Sequence, residues 1–275
     1  MSGSLSRLTP RQVFEDNMRP AELMLKVFKL LAGDGTPTNH HILDVMRTSL
    51  GAPADENLLL LYNQLFVGIV RERADLGPST FKQAMLDNLL RQSVAASCTA
   101  LDTFLPALLR NNIGTVIQVK KRNFMPTDKE TQGFFQGVTF TLLDMISMLD
   151  EDADPILFIT NRILLIVKDK TFGNATGLHA VGCMLGLDDP WKQIGNRLGF
   201  PGDKLKLGLN ETVNRRNDII HRADRSKNEP DGGMQQISQA WTEHAVGNIH
   251  HACSALDELV AEQMVAFRDA AEHKD

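Results

Sequence analysis

Apolar residues recur along most of the chain at intervals of three and four, the period of an α-helix with one buried side. In "AELMLKVFKLLA" Leu23, Val27 and Leu30 share a side, and Pro20 just ahead suits a helix start. After the "GDGTPTN" turn a helix of two or three turns is expected through "HHILDVMRTSL". "ADENLLLLYNQLFVGIVRERADL" has a wide apolar stripe with charge confined to its ends and reads as helix, stopped by Gly77 and Pro78. The longest helical pattern is "STFKQAMLDNLLRQSVAASCTALDTFLPALLRNN", with Phe81, Met85, Leu89, Ala96, Leu101, Leu105 and Leu108 along one band. Pro106 should kink it near its end. "TVIQVKKRNFMP" reads as a short connection, extended in part. Everything beyond it returns to helix, ending in a long one from about Gln235 to His273. No repeat and no alternation of strands with helices occurs, so the expected fold class is all-α. A boundary at Gly77 and Pro78 divides an N-terminal helical segment, 1–77, from a helical domain, 78–275.

The helix expected after "GFPG", capped by Gly202 or Asp203, contradicts its own pattern. Leu205, Leu209, Val213 and Ile220 follow at offsets of four, four and seven, and the stripe runs through Arg216. A guanidinium on a buried face is costly unless it is paired or meets solvent in a cleft. His221 lies five residues on, roughly 140° around the helix at about 100° per residue. It is four beyond Asn217, close enough for the amide to orient the imidazole. Arg216, Asn217 and His221 thus place an anion-holding fork beside a group that exchanges protons near neutral pH. The alternative is structural: Asp218 or Asp224 pairs with the arginine, which snorkels from the rim of the stripe.

"RNDIIH", Arg216 to His221, resembles the R-x4-6-H motif of HEPN-domain ribonucleases, in the form where a polar residue follows the arginine. "RQSVAASCTALDTFLPALL" is similar to the early core helix of the RiboL-PSP type of that family, with a serine- and alanine-rich turn and then a Leu-Asp-aromatic step. The likeness spans roughly residues 80 to 265 and leaves the first 77 outside. It implies a HEPN-type helical bundle that dimerises and joins two motifs in one composite cleft, cleaving RNA without metal. Some HEPN toxins carry a tyrosine two residues after the histidine, where Ala223 stands here, so nucleotide transfer onto that side chain is not available.

Such a reaction needs little beyond these groups, because RNA supplies its own 2′-OH nucleophile. His221 is expected to move the proton, Arg216 to hold the non-bridging phosphate oxygens, and Asn217 to orient the ring or contact the phosphate. Asp218 is a supporting candidate. Arg215, Arg222 and Arg225, with Lys120, Lys121 and Arg122 from another loop, are candidate RNA-backbone contacts, although for the last three a solvated loop is the favoured reading.

Composition adjusts this picture at the margins. The 275 residues, 43% hydrophobic, suffice for a core without metal or disulfide. Cys98, Cys183 and Cys253 are far apart and odd in number, which fits a reducing cytoplasm. No apolar run approaches the roughly 20 residues of a membrane span. The net charge of −5 excludes a generally basic nucleic-acid coat but permits a local basic site, and one tyrosine with two tryptophans argues against base-stacking sheets. Phosphate-loop, dinucleotide, nucleophile-elbow and zincin motifs are absent. No cofactor and no metal ligand set is expected. His244, His250, His251 and Cys253 share the last helix without a supporting carboxylate, and His179 and Cys183, four apart, read as core. The expectation is a homodimeric endoribonuclease, a toxin or anti-phage defence effector with RNA as substrate and an antitoxin or regulator as a further partner. The alternative is a non-catalytic helical module that dimerises or binds RNA or protein.

Overall fold

The computed structural model describes residues 8–32, 40–55, 58–63, 66–71, 83–136, 138–150, 152–167, 172–229 and 231–272. Its helices run α1 Pro10–Leu31, α2 His40–Ser49, α3 Gln83–Lys120, α4 Lys129–Phe134, α5 Leu142–Ser147, α6 Pro155–Val167, α7 Ala175–Met184, α8 Pro190–Leu198, α9 Gly202–Arg222 and α10 Gln239–Glu272. A two-stranded antiparallel hairpin, β1 Leu58–Asn63 and β2 Phe66–Arg71, lies between α2 and α3. The expectation of an all-helical chain therefore holds for the body and fails in this hairpin. Leu58 pairs with Arg71 and Asn63 with Phe66. This short run, rich in leucine with a few Val, Ile, Phe and Tyr, carries no helix-specific period, and a continuous apolar run of this length fits a paired strand as well as a helix.

α3 is the central element and touches α1, α6, α7, α9 and α10. Its inward residues Leu90, Val94, Cys98, Leu101, Phe104, Leu105, Leu109 and Ile113 are fully buried. α1 packs along it through Phe14, Met18, Ala21, Leu25 and Phe28, the Phe14 and Phe104 rings 5.0 Å apart. The first helix is thus part of the same core as the later ones, and the expected boundary at Gly77 and Pro78 falls outside the described residues. α1 starts ten residues before Pro20, at a capping box formed by Thr9 and Gln12.

Two further expectations change. α3 continues through Pro106 and through "TVIQVK" to Lys120, where a short 3₁₀ turn, Lys121–Asn123, follows. The piece read as an extended connection is helical because Ile113, Val116 and Ile117 lie on the buried side of α3. α9 begins with no side-chain cap, at Gly202. A Cβ at Gly202 would lie 2.1 Å from the Trp191 carbonyl oxygen, so glycine is what lets α9 start in contact with α8.

Candidate functional site

α9 buries Leu205, Leu209, Thr212 and Ile219, and Arg216 falls in the middle of that face. Ile220, expected in the stripe, is 53% exposed, and Ile219 turns inward instead. Seven-residue steps from Leu205 through Thr212 to Ile219 bring a helix nearly back to the same angle, which is why the stripe follows them.

The arginine on that face is paired. Arg216 Nη2 donates to Asp102 Oδ2 on α3, and Arg216 Nη1 donates to Asn217 Oδ1 at 3.2 Å. Arg216 Nε is buried without a hydrogen-bond partner among the described residues. Asp102 stands one turn beyond Cys98, and Gly173 approaches it so closely that a Cβ there would overlap the carboxylate. Burial pushes the Asp102 carboxyl above its ordinary range, and the Arg216 guanidinium opposes part of the rise. Burial also pushes the Cys98 thiol up to about 12.

His221 lies on the other side of α9 and is exposed. No hydrogen bond or ion pair among the described residues engages its ring. Asn217 was expected to orient that ring, but its oxygen accepts from Arg216, the nearer donor. Around the helix, Ile220, Val213 and Asn217 occupy the sector between Arg216 and His221. Within one chain, then, the guanidinium faces α3 while the imidazole faces solvent.

The other arginines are largely engaged inside the molecule. Arg215, expected to contact RNA, forms a two-pronged salt bridge to Asp224, Nε to Oδ1 at 2.7 Å and Nη2 to Oδ2 at 2.9 Å. It also donates to the carbonyls of Gln235 and Gln236 and lies 5.8 Å from the Trp241 ring centroid. Asp224, wholly buried, takes Arg91 Nε at 2.6 Å as well. Sequence reasoning missed Arg91 and Asp102, both on α3 and distant from the motif along the chain. The prior signals were a charged residue inside an otherwise apolar band and, for Asp102, the Leu-Asp-aromatic step of the family resemblance. Arg222 pairs with Asp218 one turn back, and Arg225 Nε donates to the Gly232 carbonyl at 3.0 Å. Asp218 is thus tied to Arg222, and Asp224 to Arg91 and Arg215, while Arg216 found its carboxylate on another helix.

Lys120 and Lys121 lie at the end of α3, and the Lys120 ammonium is 5.7 Å from the Phe267 ring centroid. The Arg122 side chain lies outside the described residues. Lys120 is 18 residues beyond Asp102 on one continuous helix, about 27 Å along its axis at about 1.5 Å per residue. The fold does not bring this basic turn to the same chain's motif.

The Arg222 hydrogen bond holds the Asp218 carboxyl below the usual carboxylate range. A depressed carboxylate contributes stability above its unfolded value, and that contribution disappears as pH falls through the folded one. Urea midpoints taken from about pH 6 to about pH 3 should fall more steeply for the native chain than for Asp218→Asn. Parallel curves would show that the pair does not couple to folding.

Two cavities flank the start of α9, away from the motif. One, of about 590 Å³, is lined by Trp191, Asn196, Phe200 and Asp203 among others. The other, about 370 Å³, is bounded by Leu198, Phe200, Leu205, His244, Asn248 and His251. His250 Nε2 instead lies 3.4 Å from Glu15 on α1. No described helix is long and apolar enough to cross a membrane. No family model, curated protein or solved structure matches the chain.

Proposed function

We propose that the chain is a metal-independent endoribonuclease of HEPN type, working as a homodimer in a reducing cytoplasm as a toxin or anti-phage defence effector. One observation carries this reading. The Asp of "ALDTF" and the Arg of "RNDIIH", 114 residues apart, meet in an ion pair, which supports reading the two stretches that resemble the same family as parts of one site. His221, exposed and with no hydrogen bond or ion pair among the described residues, is open to a bound strand.

In this mechanism Asp102 positions Arg216, whose guanidinium stabilises charge on the non-bridging oxygens as the 2′-oxygen attacks phosphorus. The bond from phosphorus to the 5′-oxygen breaks. One His221 accepts the 2′-OH proton, and the imidazole of a second copy delivers one to the leaving 5′-oxygen. Because Arg216 and His221 point apart on α9, each chemical centre draws on both copies. Exposed Ile220, lying between them, supplies apolar contact area for the second chain.

The test is cleavage of an RNA oligonucleotide in chelator, set beside the same strand with 2′-deoxyribose at the cut positions. RNA should be cut to 2′,3′-cyclic phosphate and 5′-hydroxyl ends and the deoxy strand spared. Cutting at deoxy positions would rule out 2′-OH attack. The second reading, a non-catalytic dimerisation or binding module, is favoured by the neutralisation of Arg216 by Asp102, and it predicts that the RNA stays intact.

A further inference from the structure

α7 carries His179 and Cys183 one turn apart, so their side chains share a face. The reading of this pair as core does not hold in the fold: both are only half-buried, and a third polar group joins them. Asp128, the N-cap of α4, brings its carboxylate against them, and one donor atom from each residue lies within 4.8 Å of the others. Cys183 Sγ is 3.5 Å from His179 Nε2. Asp128 is held in place because Oδ1 accepts the Thr131 backbone N–H at 2.7 Å, which leaves Oδ2 for another partner.

Two simpler accounts fail. A Cys-His-Asp nucleophile needs the carboxylate to receive the far ring N–H and the thiol to be activated. Here His179 Nδ1 is buried with no hydrogen-bond partner among the described residues, so no carboxylate receives the far ring N–H. A self-contained polar network would satisfy its own members. Yet His179 Nδ1 is left without a partner among the described residues, while the hydroxyl of Thr131, a residue with no exposed surface, lies against the Cys183 thiol and the Asp128 carboxylate.

We infer that Asp128, His179 and Cys183 form a three-ligand site for a single zinc-type divalent ion. Bonds of about 2.3 Å to sulfur and about 2.0–2.1 Å to nitrogen at a tetrahedral angle separate the two ligand atoms by about 3.6 Å. The observed 3.5 Å matches that edge. A set of one oxygen, one nitrogen and one sulfur suits a borderline-soft ion and disfavours magnesium or calcium. All three ligands are partly exposed, and the Thr131 hydroxyl lies beside the Cys183 thiol, where it can hydrogen-bond a water on the ion. The ion fastens α4, six residues long and too short to persist alone, onto α7. This site shares no residue with the Arg216 and His221 motif and stands or falls separately from it.

The full chain, stripped with chelator, is titrated with zinc by calorimetry, and with cobalt while the absorption spectrum is recorded. One equivalent of zinc should bind, and cobalt should show a thiolate charge-transfer band. Cys183→Ser should abolish that band, and Cys183→Ser and His179→Gln should each weaken zinc at least about 10–100-fold, the cost of disturbing even an outer ligand partner. Asp128→Asn should weaken it too, although Asn still caps α4, so a loss there reports on the ligand and not on the helix. Circular dichroism of each variant confirms that the fold is retained. Failure to bind one equivalent, binding unchanged in Cys183→Ser, or binding lost only in a His244→Gln/His251→Gln variant would each overturn the assignment.

Discussion

Asp224→Asn will destabilise the protein by about 3–5 kcal/mol, the usual cost of leaving a buried charge without its partner. The carboxylate is wholly buried and holds two guanidiniums, Arg91 from α3 and Arg215 from α9. Through the carbonyl of Gln235, which accepts from both arginines, the same cluster fixes the segment that leads into α10. Asn preserves the shape, and it tolerates the left-handed backbone at this position, φ 62°, as readily as Asp does. The loss therefore reports the carboxylate's charge together with the hydrogen bonds it accepts, because the Asn amide nitrogen donates and cannot accept from either arginine. Against a total of about 5–15 kcal/mol for a typical domain, the effect removes much of the folding free energy and lowers the urea midpoint accordingly. Arg215→Leu, at the more exposed end of the network, should cost less. A midpoint for Asp224→Asn equal to that of the native chain would show that the cluster contributes nothing to stability.

His221→Ala will leave the unfolding midpoint where it is and reduce RNA cleavage by about 10²–10⁴-fold, the range for loss of a positioned proton-transfer group. The two halves of this prediction come from the same observation. An exposed ring with no hydrogen bond or ion pair among the described residues has no structural interaction to lose. The loss should fall on kcat, because the imidazole acts on protons in flight and Arg216 binds the phosphate in both ground and transition states. Cleavage at the native rate by a folded His221→Ala chain would remove the histidine from the mechanism.

Arg216 shows how far the pattern alone could be read. Spacing located it correctly in the middle of a buried face, and the physical cost of that position demanded a partner or a cleft. Spacing could not say which carboxylate, since Asp218 and Asp224 are near in sequence while Asp102 is near only once α3 and α9 pack. Arg215 failed in the opposite direction: a cation beside the motif looked available for RNA, and the fold turned it onto Asp224. The hairpin at Leu58–Arg71 was misread because a continuous apolar run fits a buried strand as well as a helix, and only hydrogen-bonded pairing separates the two.

By itself the sequence determined the helical body, the inward side of the major helices and the chemical alphabet of the motif. All of these are local: they depend on residues within a turn or two of one another, and helical period carries that information directly. Tertiary structure decided which charges are spent and which are free. It joined Arg216 to Asp102, enclosed Asp224 between two arginines, left His221 to solvent and carried Asp128 to His179 and Cys183. Each depends on where separate elements pack, and a carboxylate more than a hundred residues from its guanidinium leaves no periodic trace of the meeting.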